Sequence, residues 1–233
     1  MEKQEWAEIW TNHLPCYSGG VPRAGIYIKT FLKGLKSSLE VGCGSARDSI
    51  YLSTKKIKAI ASDYEPKLIS ILQENHKNEL VDFQVVDAFM MPFDDKSFDL
   101  VFHNGLFVYF DDNDIVKLIH EQVRIASKYI LIMVHNKHNI KQQNTFAKNA
   151  KTDSLYNIRF FDIESLEKVI NLSGIKYKSI KYCKFGGKAD MFWMKKLKGI
   201  PNFIYLFRNF LIPRLYRFQS WKITERIACI IEL

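Results

Sequence analysis

Apolar positions along this chain switch repeatedly between solid or alternating runs and a helical spacing. Ser38-Leu39-Glu40-Val41, Lys58-Ala59-Ile60-Ala61-Ser62, residues 81–86 and Phe98-Asp99-Leu100-Val101-Phe102-His103 read as four strands. Residues 129–134 form an unbroken apolar run, the pattern of a parallel strand buried on both faces. Helical patterns lie between these runs. Pro66 stands where helices begin, with Leu68, Ile69, Ile71 and Leu72 on one face. Asp111, Asp112 and Asp114 mark another helix start, because carboxylates suit the positive end of the helix dipole. Ile115, Leu118, Ile119, Val123 and Ile125 follow at helical spacing. Asp162 opens a further helix through Leu166, Val169, Ile170 and Leu172, which Gly174 stops. Residues 175–182 and 190–194 are expected as a closing antiparallel pair.

This alternation predicts βαβ units and an α/β, Rossmann-like fold: a mostly parallel, seven-stranded sheet flanked by helices. Residues 1–35 read as two short helices around a break at Ser18-Gly19-Gly20-Val21-Pro22, and their Trp6, Trp10, Tyr17 and Tyr27 make them a candidate lid or an ordinary aromatic helix pair. The sheet is expected over 36–195. Residues 196–233 read as a basic, aromatic, helical C-terminal tail, broken in two by Pro213.

At 233 residues and 47% hydrophobic, the chain can bury a sizeable core in one domain with appendages. The formal charge of +9 changes the picture at the tail, where residues 195–233 hold eight Lys/Arg against Glu225 and Glu232. That leaves only +3 for the other 194 residues, so an anionic partner surface is expected for the tail alone. Cys16, Cys43, Cys183 and Cys229 form neither a C-x-x-C pair nor a metal-like cluster, so no metal and reduced thiols are expected. The polar, acidic N-terminus lacks the apolar segment of a signal peptide, and no uncharged run approaches the roughly 18–20 residues of a membrane span. A cytoplasmic location is expected, peripheral at the inner membrane face if the tail engages lipid.

The stretch Leu39-Glu40-Val41-Gly42-Cys43-Gly44-Ser45-Ala46-Arg47-Asp48 carries the most chemical information. A strand ending in a G-x-G turn that feeds a helix lets a ligand lie against bare backbone. A dinucleotide suits it poorly. The third glycine of G-x-G-x-x-G falls at Arg47, and Glu40 and Asp48 would repel a pyrophosphate at that helix N-terminus. A ligand carrying an amine and a sulfonium would be welcome instead.

These residues resemble the first motif of the class I S-adenosylmethionine-dependent methyltransferase family, an acidic residue followed by G-x-G-x-G, with Ala46 replacing the last glycine. The likeness continues in order through Asp63, Asp87-Ala88 and Phe98-Asp99-Leu100-Val101-Phe102-His103-Asn104-Gly105, over about residues 36–182. It implies a methyltransferase domain over 36–195, S-adenosylmethionine as cofactor, and a binding set of Glu40, Gly42, Cys43, Gly44, Asp63, Tyr64, Asp87, Ala88 and Asn104. In the family's arrangement Asp63, 19 positions after Gly44, reaches the ribose hydroxyls. Asp87 accepts from the adenine amino group and Ala88 offers its N–H to the ring. Gly42 and Gly44 admit the methionine portion, Glu40 meets its amine, and Asn104 with the carbonyl of His103 holds its end. Arg47 either holds the cofactor carboxylate or is a solvated residue of the first helical turn, the second being favoured.

Methyl transfer is a direct displacement, so the protein mainly orients an acceptor, and a hydroxyl acceptor adds the need for a general base. His103, Tyr109 and His135, all at strand ends, are the candidate catalytic residues. Phe107, Tyr109 and Phe110 either wall an acceptor pocket or fill the core. The fourth strand is followed by neither an N-P-P-Y motif nor Pro-Cys, and no clustered carboxylates suggest a metal-dependent enzyme. The expected acceptor is therefore a small-molecule, glycan or lipid-linked intermediate. Two alternatives stay open: an RNA methyltransferase, motivated by the charge, and a non-catalytic binding protein that keeps the fold.

Overall fold

A computed structural model describes residues 3–187, 190 and 211–233. Helices α1 (Lys3–Ser18) and α2 (Arg23–Phe31) flank the expected break. Strands β1 (Ser37–Val41), β2 (Lys58–Asp63) and β3 (Val81–Val85) alternate with α3 (Arg47–Ser53) and α4 (Pro66–Asn75). Then come β4 (Phe98–Asn104), α5 (Asp112–Ile125), β5 (Ala126–His135), α6 (Ile140–Asn149), α7 (Ile163–Ser173), β6 (Ser179–Gly187) and β7 (Thr224–Glu232). Local signals start and stop these helices as expected. Asp111 accepts from the backbone N–H of Asp114, Asp162 and Ser165 form a reciprocal capping box, and Gly174 ends α7 in the left-handed region.

The sheet order is β3-β2-β1-β4-β5-β7-β6. Strands β1 to β5 are parallel to one another, and β7 runs antiparallel to β5 and β6. The order reverses between β1 and β4, and a crevice opens at their carboxyl ends, where open α/β sheets take ligands. Alternate residues of β4 feed opposite faces. Val101 joins Leu39, Phe107, Ile115, Ile119, Leu166 and Val169 under α5 and α7, while Leu100 and Phe102 join Ile28, Leu52, Leu131 and Phe185 under α2 and α3. Each such buried side chain contributes roughly 1.5–3 kcal/mol, so this core holds the crevice rigidly.

The C-terminus differs from the expected helical tail. Thr224–Glu232 is a strand, inserted between β5 and β6, with Ile227, Ala228, Cys229 and Ile231 wholly buried. An apolar run of this length serves a buried helix or an interior strand equally, and its three isoleucines favour the strand once both neighbours can pair with it. Among the described residues the antiparallel partner of β6 is β7. Asp190 is helical, and residues 191–194 lie outside the described residues, as does the 196–210 part of the tail. Residues 211–215 are helical, and Ile212 and Tyr216 are buried with Tyr27 and Phe185 against the sheet. Among the described residues, no helix is long and apolar enough to cross a membrane.

Candidate active site

The turn after β1 is shaped by three residues with left-handed backbone. Gly42 and Gly44 have φ of +65° and +53°, and a Cβ on Gly44 would strike the Trp10 ring of α1. Ala46, where the family places its last glycine, adopts φ 52° as well, a conformation that costs an L residue roughly 1–2 kcal/mol. Its N–H is tied to the Cys43 carbonyl at 2.9 Å, and α3 begins at the next residue. Asp63, at the end of β2, accepts from the Gly44 N–H at 3.1 Å and the Glu65 N–H at 3.3 Å. Burial raises its pKa while these N–H groups hold the rise back.

Glu40 is buried beneath the turn and accepts from the Ser49 N–H at 3.1 Å and the Ser49 hydroxyl at 2.6 Å. Burial, then the nearby Asp48 carboxylate, push its pKa far above the ordinary carboxylate range. Asp48 accepts from the Gly25 N–H at 2.8 Å, which fastens α2 to α3.

One cavity of about 580 Å³ opens along the carboxyl ends of the strands. Glu40, Gly42, Cys43, Gly44, Asp63, Tyr64, Asp87, Ala88 and Asn104, drawn from four separate segments, all line it. Trp6, Trp10 and Tyr17 of α1 cover it, and Tyr109, Phe110, Phe146 and Tyr156 wall its β4–β5 side. The Asn104 side-chain carbonyl is buried there with no hydrogen-bond partner. Bare glycine backbone, an acidic group at each of the first two strand ends and an unsatisfied carbonyl oxygen suit a ligand bearing an amine, a ribose and a sulfonium.

Residues 39–128 match the model of a methyltransferase domain family. Over that stretch the chain is a methyltransferase domain. The chain shares its fold with a S-adenosylmethionine-dependent methyltransferase from Thermotoga maritima, at TM-score 0.65 and 15% identity over 99% of both chains. A S-adenosylmethionine-dependent methyltransferase from Archaeoglobus fulgidus follows at TM-score 0.60 and 19% identity, covering 92% of this chain and 95% of that one. The magnesium protoporphyrin IX methyltransferase of Synechocystis PCC 6803, solved with S-adenosylhomocysteine, gives TM-score 0.53 and 11% identity, covering 95% and 82%. A domain of this family marks the protein as an enzyme, a methyltransferase.

The three candidate bases of this methyltransferase stand in different places. His103 does not reach the cavity: it lies wholly buried beneath Leu106, whose N–H donates to its Nδ1 at 3.3 Å. Burial, with Arg226 nearby, lowers its pKa to about 3. The inward face of β4 is simply covered by its own following turn. Tyr109 lines the cavity, but its hydroxyl donates to the Leu155 carbonyl at 2.9 Å, and burial raises its pKa well beyond the ordinary phenol range. His135 lines the cavity between the Phe146 and Phe160 rings, with Nδ1 buried and unpartnered. Burial first, then Arg226 and Arg23, hold it neutral.

Arg47 is not the solvated residue favoured above. It lines the cavity, donates to the Tyr17 carbonyl at 3.3 Å and lies over the Tyr17 ring. Tyr27 and Phe107 are core residues, whereas Tyr109 and Phe110 do form wall. Sequence reasoning missed Arg226, which reaches the cavity from β7, and Phe146 and Tyr156, which arrive on α6 and the turn after it. The pairing of a mostly apolar strand with a single arginine near its start was the available signal.

Proposed function

We propose that this methyltransferase methylates a small molecule held in the aromatic half of the cavity. The observation behind this reading is that nine cofactor-type residues and an aromatic wall share one covered cavity, whose volume lies in the range of small-ligand sites. In this reading Asp63 takes the ribose, Asp87 and Ala88 the adenine, Glu40 the amine, and Asn104 the methionine end, with Gly42, Cys43, Gly44 and Tyr64 lining the approach. S-adenosylmethionine, when bound, supplies an electrophilic methyl group on its sulfonium. The chain's own contribution is to align an acceptor and exclude water, with α1 as the lid and Trp6, Trp10 and Tyr17 as its inner face.

The state of the bases narrows the acceptor. Tyr109 keeps its proton, His103 is sealed, and His135 is a weakened base. An acceptor atom that is already unprotonated, such as an amine lone pair or a carboxylate, suits this site better than an alcohol. A glycan or lipid-linked head group carrying such an atom stays within this class. Contact with an anionic membrane face is proposed for the exposed Arg217, Phe218 and Lys222, with Phe218 71% exposed. An RNA base would have to pass under α1, which counts against the nucleic-acid reading. Incubation with methyl-labelled donor and separate pools of small metabolites and RNA tests the proposal. Label in low-molecular-weight products is expected, and label confined to RNA would overturn it.

A further inference from the structure

Arg226 is the cation that the cofactor reading leaves unused. Its backbone is held firmly at the start of β7: Asn136 donates to the Trp221 and Thr224 carbonyls at 2.7 and 2.9 Å, and Asn139 to the Thr224 carbonyl at 3.1 Å. Strand alternation then sends Glu225 and Arg226 to opposite faces. Glu225 forms its ion pair with Arg23, at 2.8 Å, and acts on Arg226 only through space. Arg226 pairs in register with His135 and extends over the end of β4. There a Cβ on Gly105 would lie 2.9 Å from its Nη1, and Gly105 has φ +111°. Glycine at 105 therefore serves both the backbone and the room for the guanidinium.

Among the described residues this guanidinium has no counter-ion. Nη1 is buried without a hydrogen bond, and Arg226 forms no ion pair with any described residue. Burial, then the Arg23 charge, lower its pKa to about 10, which leaves it protonated at neutral pH. Buried charges are retained when something pairs with them, and burying one unpaired is costly. The cofactor's own carboxylate is better served by Arg47, in the first turn of α3 directly after the glycine turn, whereas β7 stands three strands away from β1.

We propose that Arg226 is the docking site for a carboxylate carried by the methyl acceptor. The assignment rests on the methyl-transfer reading above. His135, Tyr109 and Asn104 around it are neutral, and of the charged groups that act on it Arg23 and Glu225 are paired with each other while Arg47 stands at the glycine turn, so one positive charge awaits one negative charge. A phosphate dianion would bring a second charge that nothing on this side of the cavity balances, while a planar carboxylate matches the guanidinium fork. The aromatic wall beside it would take the acceptor's apolar body.

Calorimetry on the full chain tests this, using benzoate, benzamide and phenyl phosphate as probes, with and without saturating S-adenosylhomocysteine. The variants are Arg226→Gln, Arg226→Lys and Arg47→Gln. Benzoate should bind the wild type and lose about tenfold or more in affinity on Arg226→Gln, with only part of that loss on Arg226→Lys, which keeps the charge but not the fork, while benzamide is indifferent to both. S-adenosylhomocysteine should lose affinity on Arg47→Gln and stay within about threefold of wild type on Arg226→Gln. Removal of an unpaired buried charge should also raise the thermal midpoint of the ligand-free Arg226→Gln protein. Equal benzoate binding to wild type and Arg226→Gln would overturn the proposal. So would a loss of S-adenosylhomocysteine affinity confined to Arg226→Gln, or tighter binding of phenyl phosphate than of benzoate. If wild type bound benzoate through Arg226 but no S-adenosylhomocysteine, the methyl-donor reading alone would fail.

Discussion

At the β1–β2–β3 end of the cavity, most residues facing the ligand space come from the turn directly after a strand: Gly42 and Gly44 after β1, Tyr64 after β2, Asp87 and Ala88 after β3. At the β4–β5–β7 end the wall is assembled from Trp6, Tyr109, His135, Phe146, Tyr156 and Arg226, which come from almost the whole length of the chain. The first end is written locally, because a G-x-G turn and a strand-end carboxylate need only a few neighbouring residues to do their work. The second depends on which strand pairs with which, so its chemistry appears only after the sheet is assembled.

Substitutions at the local end should produce the larger losses. Gly44→Val adds a branched side chain at φ +53° against Trp10, so S-adenosylhomocysteine affinity should fall by more than about 3 kcal/mol while the far-ultraviolet circular dichroism stays native. Near-wild-type affinity would break the contrast between the two ends. Asp63→Ala removes the acceptor for the Gly44 N–H as well as the proposed ribose contact, and a loss of about 1–3 kcal/mol is expected by titration calorimetry.

A sharper and smaller effect concerns Glu40. Its raised pKa means that it holds a proton in the cofactor-free protein, and a cationic amine arriving beside it favours the ionised form. Binding of S-adenosylhomocysteine at neutral pH should therefore release protons, seen as a dependence of the measured enthalpy on the ionisation enthalpy of the buffer. Glu40→Gln should abolish that dependence; a buffer-independent enthalpy in the wild type would contradict the placement of the amine. The smallest effect belongs to the surface outside both ends. Lys222→Gln should weaken sedimentation with anionic vesicles by roughly 1 kcal/mol at low salt and change nothing at high salt. Absence of any vesicle binding by the wild type would remove the proposed membrane contact.

The contrast also explains what could be read before folding. Strands β1 to β5, their helices and the glycine turn that lines the cavity were legible, because hydrophobic period, capping residues and a glycine turn are local signals. The last strand was not. Its run Ile227-Ala228-Cys229-Ile230-Ile231 follows a stretch dense in Arg and aromatics, and a helical continuation satisfied the local pattern equally well. Only pairing with β5 and β6 selects the strand, and only that pairing brings Arg226 beside His135. His103 failed for the opposite reason. It is placed at a strand's carboxyl end as expected, but the following turn through Leu106 closes over it, a tertiary detail without a local signature.

Which ligand the glycine turn accepts decides the function most directly. Calorimetric titration of the wild-type chain with S-adenosylhomocysteine and, separately, with NADH decides it. Binding of S-adenosylhomocysteine at one site with no heat from NADH is the predicted result. Binding of NADH without S-adenosylhomocysteine would contradict the reading of Glu40, Asp63 and the turn between them.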